Sequence, residues 1–246
     1  MMQLNQSQEI KELALKRYQN NKCIFDRKDR WHFVTYTRTH HILQNWRNHL
    51  HKKQNILNIG SGGEDYLLFP ERQFHVDIVP TLIKDKRFSI VADAESLPFL
   101  KGTFDAVICV GSVVNYCSLL EVIIELIRVT KRGGLIILDF ETSDSWEYLF
   151  TKNWRKNISI TSTFFQGTTE KIWTYSRNYV KNVIDNSGGK ILDEKSIHGF
   201  SSFALLALRN SYIASYFEWL DQLFIENTFI SKGACNCIII FEKVSE

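Results

Sequence analysis

Two aspartates and a glycine turn carry the first chemical signal in this chain. Ile56-Leu57-Asn58-Ile59 is a short apolar run, and Gly60-Ser61-Gly62-Gly63 follows it directly. Residues Asn55–Ile59 therefore read as a buried strand that enters a tight turn and then a helix. Glycine is needed where the backbone must turn sharply and come close to a ligand. Ligands of a parallel sheet dock at the C-terminal strand ends. A dinucleotide fingerprint would need a glycine where Asp65 stands, which argues against a nicotinamide cofactor. Asp77 closes the next apolar run, Phe74-His75-Val76-Asp77-Ile78, 17 residues after Gly60. That is near the spacing at which a carboxylate accepts both hydrogens of a ribose diol. Asp93, in Val91-Ala92-Asp93-Ala94-Glu95-Ser96-Leu97-Pro98-Phe99, ends a third run. It could accept from an adenine amino group while the Ala94 amide donates to a ring nitrogen. The plainer alternative for Asp77 is an ordinary exposed loop aspartate.

The elements that must position these groups alternate. Strand candidates are Asn55–Ile59, Gln73–Ile78, Phe88–Ala92, Phe104–Val110 and Gly134–Phe140, with a helix over Leu119–Thr130. Strands alternating with helices predict an α/β, Rossmann-like, mostly parallel sheet with helices on both faces. Helical spacing also predicts an N-terminal extension: one amphipathic helix over about residues 7–20 and a second from Thr35 to Lys52. The chain divides into an N-terminal helical cap, 1–54, and a domain, 55–246, with an insertion at about 141–175. Within the insertion, Ile158–Phe165 and Glu170–Tyr175 alternate around Gln166-Gly167-Thr168-Thr169, the pattern of a hairpin. A helix from Ser176 to Asn186 follows, capped by Ser176 and ended by Gly188-Gly189. Ile191–Ile197 reads as a strand, Ser211–Ile225 as an amphipathic helix and Cys235–Glu242 as a last strand.

Composition limits the functions. At 246 residues, 44% hydrophobic and 23% charged, the chain can bury one sizeable α/β core. Apolar runs such as Leu135–Leu138 and Ile238–Phe241 are too short to span a bilayer and read as buried strands. The polar N-terminus is no secretory signal, and five cysteines without framework spacing suit a reducing compartment, so a cytoplasmic protein is expected. Net charge is +3, unevenly spread: residues 1–55 hold 11 Lys/Arg against 4 Asp/Glu, and five of the seven histidines. That segment reads either as a pair of solvated surface helices or as a basic cap attracting an anionic acceptor such as a phosphate-linked sugar, a nucleotide or RNA.

The ordered set Asn58-Ile59-Gly60-Ser61-Gly62, Val76-Asp77-Ile78, Asp93 through Phe99, Phe104-Asp105-Ala106-Val107 and Arg128 through Leu135 resembles the class I S-adenosylmethionine-dependent methyltransferases, especially their small-molecule branch. The resemblance covers residues 55–142 closely and 175–245 through the order of elements. It implies a seven-stranded sheet whose last strand is antiparallel, and S-adenosyl-L-methionine as cofactor. By position Gly60, Ser61 and Gly62 would pack on its methionine part and Asp77 would bind ribose. Ile78 would lie on adenine, Asp93 and Ala94 would read the adenine edge, and Val110 closes the fourth strand beside them. Two positions depart from the family: Asn58 stands where an acidic residue is usual, and Glu64 where a third glycine is usual.

The acceptor would sit beyond the fourth strand, near Gly111-Ser112-Val113-Val114-Asn115-Tyr116 and under the insertion. Candidate general bases are Tyr116, His32 and His198, with His40 and His41 behind them; a packing role is the alternative for each. Trp146, Tyr148, Trp154, Phe164, Phe165, Trp173 and Tyr175 could wall an acceptor pocket or fill the core. Cys235-x-Cys237 places two thiols on one strand face without further ligands at metal-binding spacing. The readings open on sequence alone are methyl transfer to a small-molecule, sugar or lipid-linked acceptor, an RNA methyltransferase, and a non-catalytic partner subunit with the same fold.

Overall fold

Near-continuous apolar runs bury both faces of the central strands, and this builds the core. The computed structural model describes residues 2–20, 26–165, 168–223 and 228–245. Its main sheet has strands β1 (Ile56–Ile59), β2 (Gln73–Asp77), β3 (Ser89–Val91), β4 (Phe104–Cys109), β5 (Thr130–Glu141), β8 (Gly189–Ile197) and β9 (Asn236–Lys243). Their order is β3-β2-β1-β4-β5-β9-β8. Strands β1 to β5 run parallel, and β9 lies antiparallel between β5 and β8. Strands β6 (Ile158–Phe165) and β7 (Thr168–Tyr175) form a separate antiparallel pair. The hairpin expected from alternation is present, with Gln166-Gly167 outside the described residues.

Alternate strand residues feed two cores. Leu57, Ile59, Val107, Cys109, Ile136, Leu138 and Phe241 pack with the helices Leu119–Val129 and Arg177–Asn186. Ile56, Ala106, Ile108, Ile137 and Ile240 face the other way, onto Leu43 and Leu50 of the N-terminal helices. Ser176 caps the Arg177–Asn186 helix by accepting from the Tyr179 amide at 3.3 Å, and Gly188 follows its end with φ +92°. The first two helices span Met2–Asn20 and Arg30–Asn45, and a short third, Arg47–Leu50, continues the second.

Two expectations fail for physical reasons, and one helix carries no sequence signal. No helix follows the glycine turn: residues 60–72 run through turns to a single 3₁₀ turn, Pro70–Arg72. Tyr66, Leu67 and Phe69 are left-handed, and Tyr66, Leu68 and Phe69 plug the core that a helix would have covered. The Gln73 side chain holds this loop through the Asp65 carbonyl (2.9 Å) and the Leu68 carbonyl. The expected Ser211–Ile225 helix is broken into Ser211–Ala214, a 3₁₀ turn and Glu218–Leu223, and its last two residues lie outside the described ones. At the break the Ser215 hydroxyl donates to the Tyr212 carbonyl at 2.6 Å, a local bond that competes with regular helix. A helix at Gly199–Leu208 had no visible period, because its apolar residues surround it.

Candidate functional site

Strand register brings the site together. Ile59 lies beside Val76 on one side and Cys109 on the other, so Gly60, Asp77 and Val110 leave three adjacent strands in one row. Asp77 pairs with Val91, which places Asp93 two residues beyond on the next strand. Cys109 pairs with Leu138, so Glu141 leaves the fifth strand on the far side. The row crosses the point where strand order reverses at β1, where a parallel sheet opens a crevice.

A cleft occupies that crevice. Gly60, Ser61, Gly62, Asp77, Ile78, Asp93, Ala94 and Val110 all line it. Gly60 and Gly62 have φ of +61° and +55°. A Cβ on Gly60 would lie 2.3 Å from Val113 Cγ2, so only glycine fits there. The Asp77 carboxylate accepts from the Gly62 amide at 2.8 Å and the Val79 amide at 2.9 Å, which fixes its direction and leaves lone pairs for a diol. Burial raises its pKa against those bonds. Ile78 presents a side chain 37% exposed, an apolar surface for a flat ring.

Asp93 is engaged differently from expectation. Its Oδ2 accepts from Lys11 Nζ of the first helix at 2.8 Å, and its Oδ1 from the Glu95 amide at 3.0 Å. Lys11 also pairs with Glu95 at 2.6 Å. These bonds hold the first helix over the cleft, which Ala14, Leu15 and Tyr18 then roof. The second helix adds Thr35, Tyr36 and Thr39, and the hairpin adds Thr163 and Phe165. Thr39 is 2% exposed, and its hydroxyl has no hydrogen-bond partner among the described residues.

The two departures from the family pattern have structural work. Asn58 is fully buried and its Nδ2 donates to the Glu64 carbonyl (2.8 Å) and to Gln73 Oε1 (3.0 Å). Glu64 accepts from the Tyr66 amide at 3.0 Å and from the Tyr36 hydroxyl at 3.1 Å. Both residues anchor the irregular loop, one to β2 and the other to the second helix.

The candidate bases separate. Tyr116 lines the cleft, but its hydroxyl donates to Glu170 at 2.7 Å and burial pushes its pKa well up. His32 lines the cleft with Nδ1 held 2.9 Å from Asp29, and its ring edge meets Phe165. His198 lies away from the cleft: it is 1% exposed and stacked on Trp31 with ring centroids 3.8 Å apart. Its nitrogens meet Thr35 and Ser201, each at 2.9 Å, and burial lowers its pKa to about 3. That imidazole stays neutral and serves packing. His40 is half-buried and His41 exposed on the second helix, and neither lines the cleft. Of the insertion aromatics Phe165 lines the cleft, Trp173 and Tyr175 join the main core, and Trp146 packs on Phe229 and Phe203. Cys235 and Cys237 are both buried and enter different clusters, one with Trp31 and Ala204, the other in the main core.

Residue types alone did not reveal Glu141. It lines the cleft at the end of β5, and Ser112 donates a hydrogen bond to it. Burial, and then the nearby Glu147 and Asp139, push its pKa up to about 8. Asp139, two residues earlier, accepts from the Gly111 and Ser112 amides at 3.0 Å each.

The strand order is that of the class I S-adenosylmethionine-dependent methyltransferase fold, whose enzymes use S-adenosyl-L-methionine. Residues 57–138 match the family described as methyltransferase domain. Three similar solved structures agree in fold. The PH0226 protein of Pyrococcus horikoshii OT3 is 16% identical, with 85% of this chain and 91% of that one covered at a TM-score of 0.57. A SAM-dependent methyltransferase of Methanosarcina mazei is 16% identical, with 83% and 98% covered at 0.54. A SAM-dependent methyltransferase of Archaeoglobus fulgidus is 16% identical, with 83% and 93% covered at 0.53. No match was found among curated proteins.

Proposed function

We propose that this enzyme methylates a small organic acceptor inside the roofed cleft. The observation that carries the reading is that the residues expected at the cofactor converge on one cleft, which the two N-terminal helices and the hairpin roof over. A roofed cleft suits a molecule that can be enclosed, whereas a polynucleotide needs an open basic track.

The residues present fit S-adenosylmethionine. Gly60 and Gly62 hold the left-handed backbone of the cleft, and beside Val113 no Cβ fits at Gly60. Asp77 offers a fixed carboxylate for the ribose diol, and Ile78 an apolar face for adenine. Ala94 and Asp93 would lie at the adenine edge, with Lys11 beside them. The partnerless Thr39 hydroxyl, buried on the cleft wall, suits a polar group of the cofactor's methionine end. When bound, the cofactor supplies a methyl group on a positively charged sulfur. The chain's part is to align the acceptor, exclude water and receive a proton where the acceptor carries one.

The basic N-terminal segment uses much of its charge on the protein itself. Lys11, Arg17 and Arg38 pair with Asp93 and Glu95, with Glu170, and with Glu218. Arg27, Arg30 and Arg47 lie over the rings of Phe33, Tyr216 and Phe69. This supports a small acceptor over RNA. Titration calorimetry with S-adenosylmethionine tests the cofactor reading: saturable binding is expected, and none at millimolar cofactor overturns it. Salt-sensitive binding of tRNA by the same protein would overturn the choice of acceptor.

A further inference from the structure

Two hollows meet at Glu141. It lines the cofactor cleft, and it also lines a second cavity that runs beneath the hairpin between Trp31, Phe150, Phe164 and Leu205. Thr163 is the other residue common to both. A molecule lying in the second cavity would therefore reach the cofactor's side past Glu141. One wall of that cavity is apolar and the rest is polar, with Ser162, Arg209, Asn210 and Ser211, and Glu147 adds a second, half-buried carboxyl.

The other acidic and basic groups of the cleft are engaged. Lys11 is held by Asp93 and Glu95, His32 by Asp29, Tyr36 by Glu64 and Tyr116 by Glu170. Asp77 is turned onto two backbone amides. Glu141 has a hydroxyl partner, Ser112, and among the described residues no lysine, arginine or histidine forms an ion pair with it, with Asp139 or with Glu147. A buried carboxyl without a cation is costly, and a cationic ligand removes that cost.

Resting on the reading of the cleft given above, we propose that the acceptor is an amine on a compact apolar body, seated in the second cavity, and that Glu141 holds its nitrogen and takes its proton. This places a cation where the basic N-terminal segment had suggested an anion. The atoms balance. The acceptor arrives as an ammonium, and one N–H proton passes to a Glu141 carboxylate oxygen. The freed nitrogen pair forms the new N–C bond as the methyl's C–S bond breaks, and that bond's electrons stay on sulfur. The proton then leaves Glu141 for solvent. The Glu141 pKa of about 8 lies close to that of an amine, which suits exchange of a proton between the two. The groups facing Glu141 are Asp139 on its own strand, Glu147 and Tyr148 on the turn after it, Cys235 before the last strand, and Tyr116 and Tyr18 from across the cleft; Arg209 also lines the second cavity. Arg17 lies beyond the two tyrosines, with Glu170 as its partner.

The test is binding of benzyltrimethylammonium, a fixed cation with an apolar body, against phenyl phosphate, measured by calorimetry with S-adenosylhomocysteine present. Wild type binds the cation and not the anion, more tightly at pH 8 than at pH 6. Glu141→Gln weakens the cation by about tenfold or more while S-adenosylmethionine affinity stays within about threefold. Preference for phenyl phosphate, or cation binding unchanged in Glu141→Gln, overturns the proposal. So does a variant that loses S-adenosylmethionine relative to S-adenosylhomocysteine with the cation unaffected, since the carboxyl would then serve the sulfonium. If wild type binds no S-adenosylmethionine, the cofactor reading has failed instead. A thermal melt showing Glu141→Gln folded secures the comparison.

Discussion

The cleft has two unlike halves. On the proposed cofactor side, Gly60, Asp77 and Asp93 leave neighbouring parallel strands and are held by backbone bonds close by or at the next strand end, with Lys11 of the first helix added at Asp93. On the acceptor side, Glu141 meets residues from the first two helices, the β6–β7 hairpin and the helix Gly199–Leu208. The first half is built by sheet register and the second by side chains from distant segments. Register tolerates little change, so the cofactor half should respond sharply to single substitutions. The acceptor half should respond by shifts in proton affinity and stability.

The largest effect is expected at Gly60. Gly60→Val combines a left-handed φ with a Cβ 2.3 Å from Val113, and cofactor binding should fall by on the order of a hundredfold or more. Calorimetry reads it directly; retained affinity would mean that the loop is not the cradle. Asp77→Ala removes two acceptors from the diol, and affinity should drop by about 10- to 100-fold with the fold retained.

His198→Ala sharpens the contrast from the other side. It should cost about 1–3 kcal/mol of stability through lost stacking and two lost hydrogen bonds, with the pH profile of turnover unmoved. A changed profile would return His198 to the list of bases. Glu141→Gln should act oppositely on stability. The folded pKa of Glu141 lies above the ordinary 4.5, so wild-type stability falls as pH rises from 4.5 towards about 8. Glutamine has no such loss, and the variant should melt higher than wild type at pH 8, by on the order of 1 kcal/mol or more, and nearly alike at pH 4.5. Equal melting curves at pH 8 would show that the carboxyl is not buried as described. The smallest effect is expected for Lys11→Ala: a several-fold faster cofactor dissociation in stopped-flow fluorescence, since partly exposed ion pairs contribute little.

The cofactor half was legible because its chemistry is local. Strand, glycine turn and terminal aspartate follow one another along the chain, and the parallel pairing that aligns Gly60 with Asp77 and Val110 follows from the alternation of elements. The same local logic misjudged the stretch after Gly62, where a helix was expected. There Tyr66, Leu68 and Phe69 fill the core and Asn58 and Gln73 pin the backbone, so tertiary packing overrides the usual unit. Asn58 looked like a loss of function by its type, yet its amide clamps the loop. Glu141 was invisible because it follows an apolar strand as any polar strand end would. Its character comes from burial beside Asp139 and Glu147 and from two cavities whose walls come from remote segments. His198 shows the converse: its residue type suggested a base, and Trp31, far off in sequence, made it a piece of the core.

The first helix is fastened at two places, by Lys11 to Asp93 and Glu95 and by Arg17 to Glu170 on the hairpin. Between those fastenings its side chains shut the cleft from above. If the cleft takes the nucleoside proposed above, it cannot enter or leave beneath a closed strap, and each round would begin and end with the strap's release. The tempo of turnover would then be governed by a doorway clasped by two pairs of opposite charge. Raising the ionic strength should hasten traffic through it while leaving the methyl transfer within untouched.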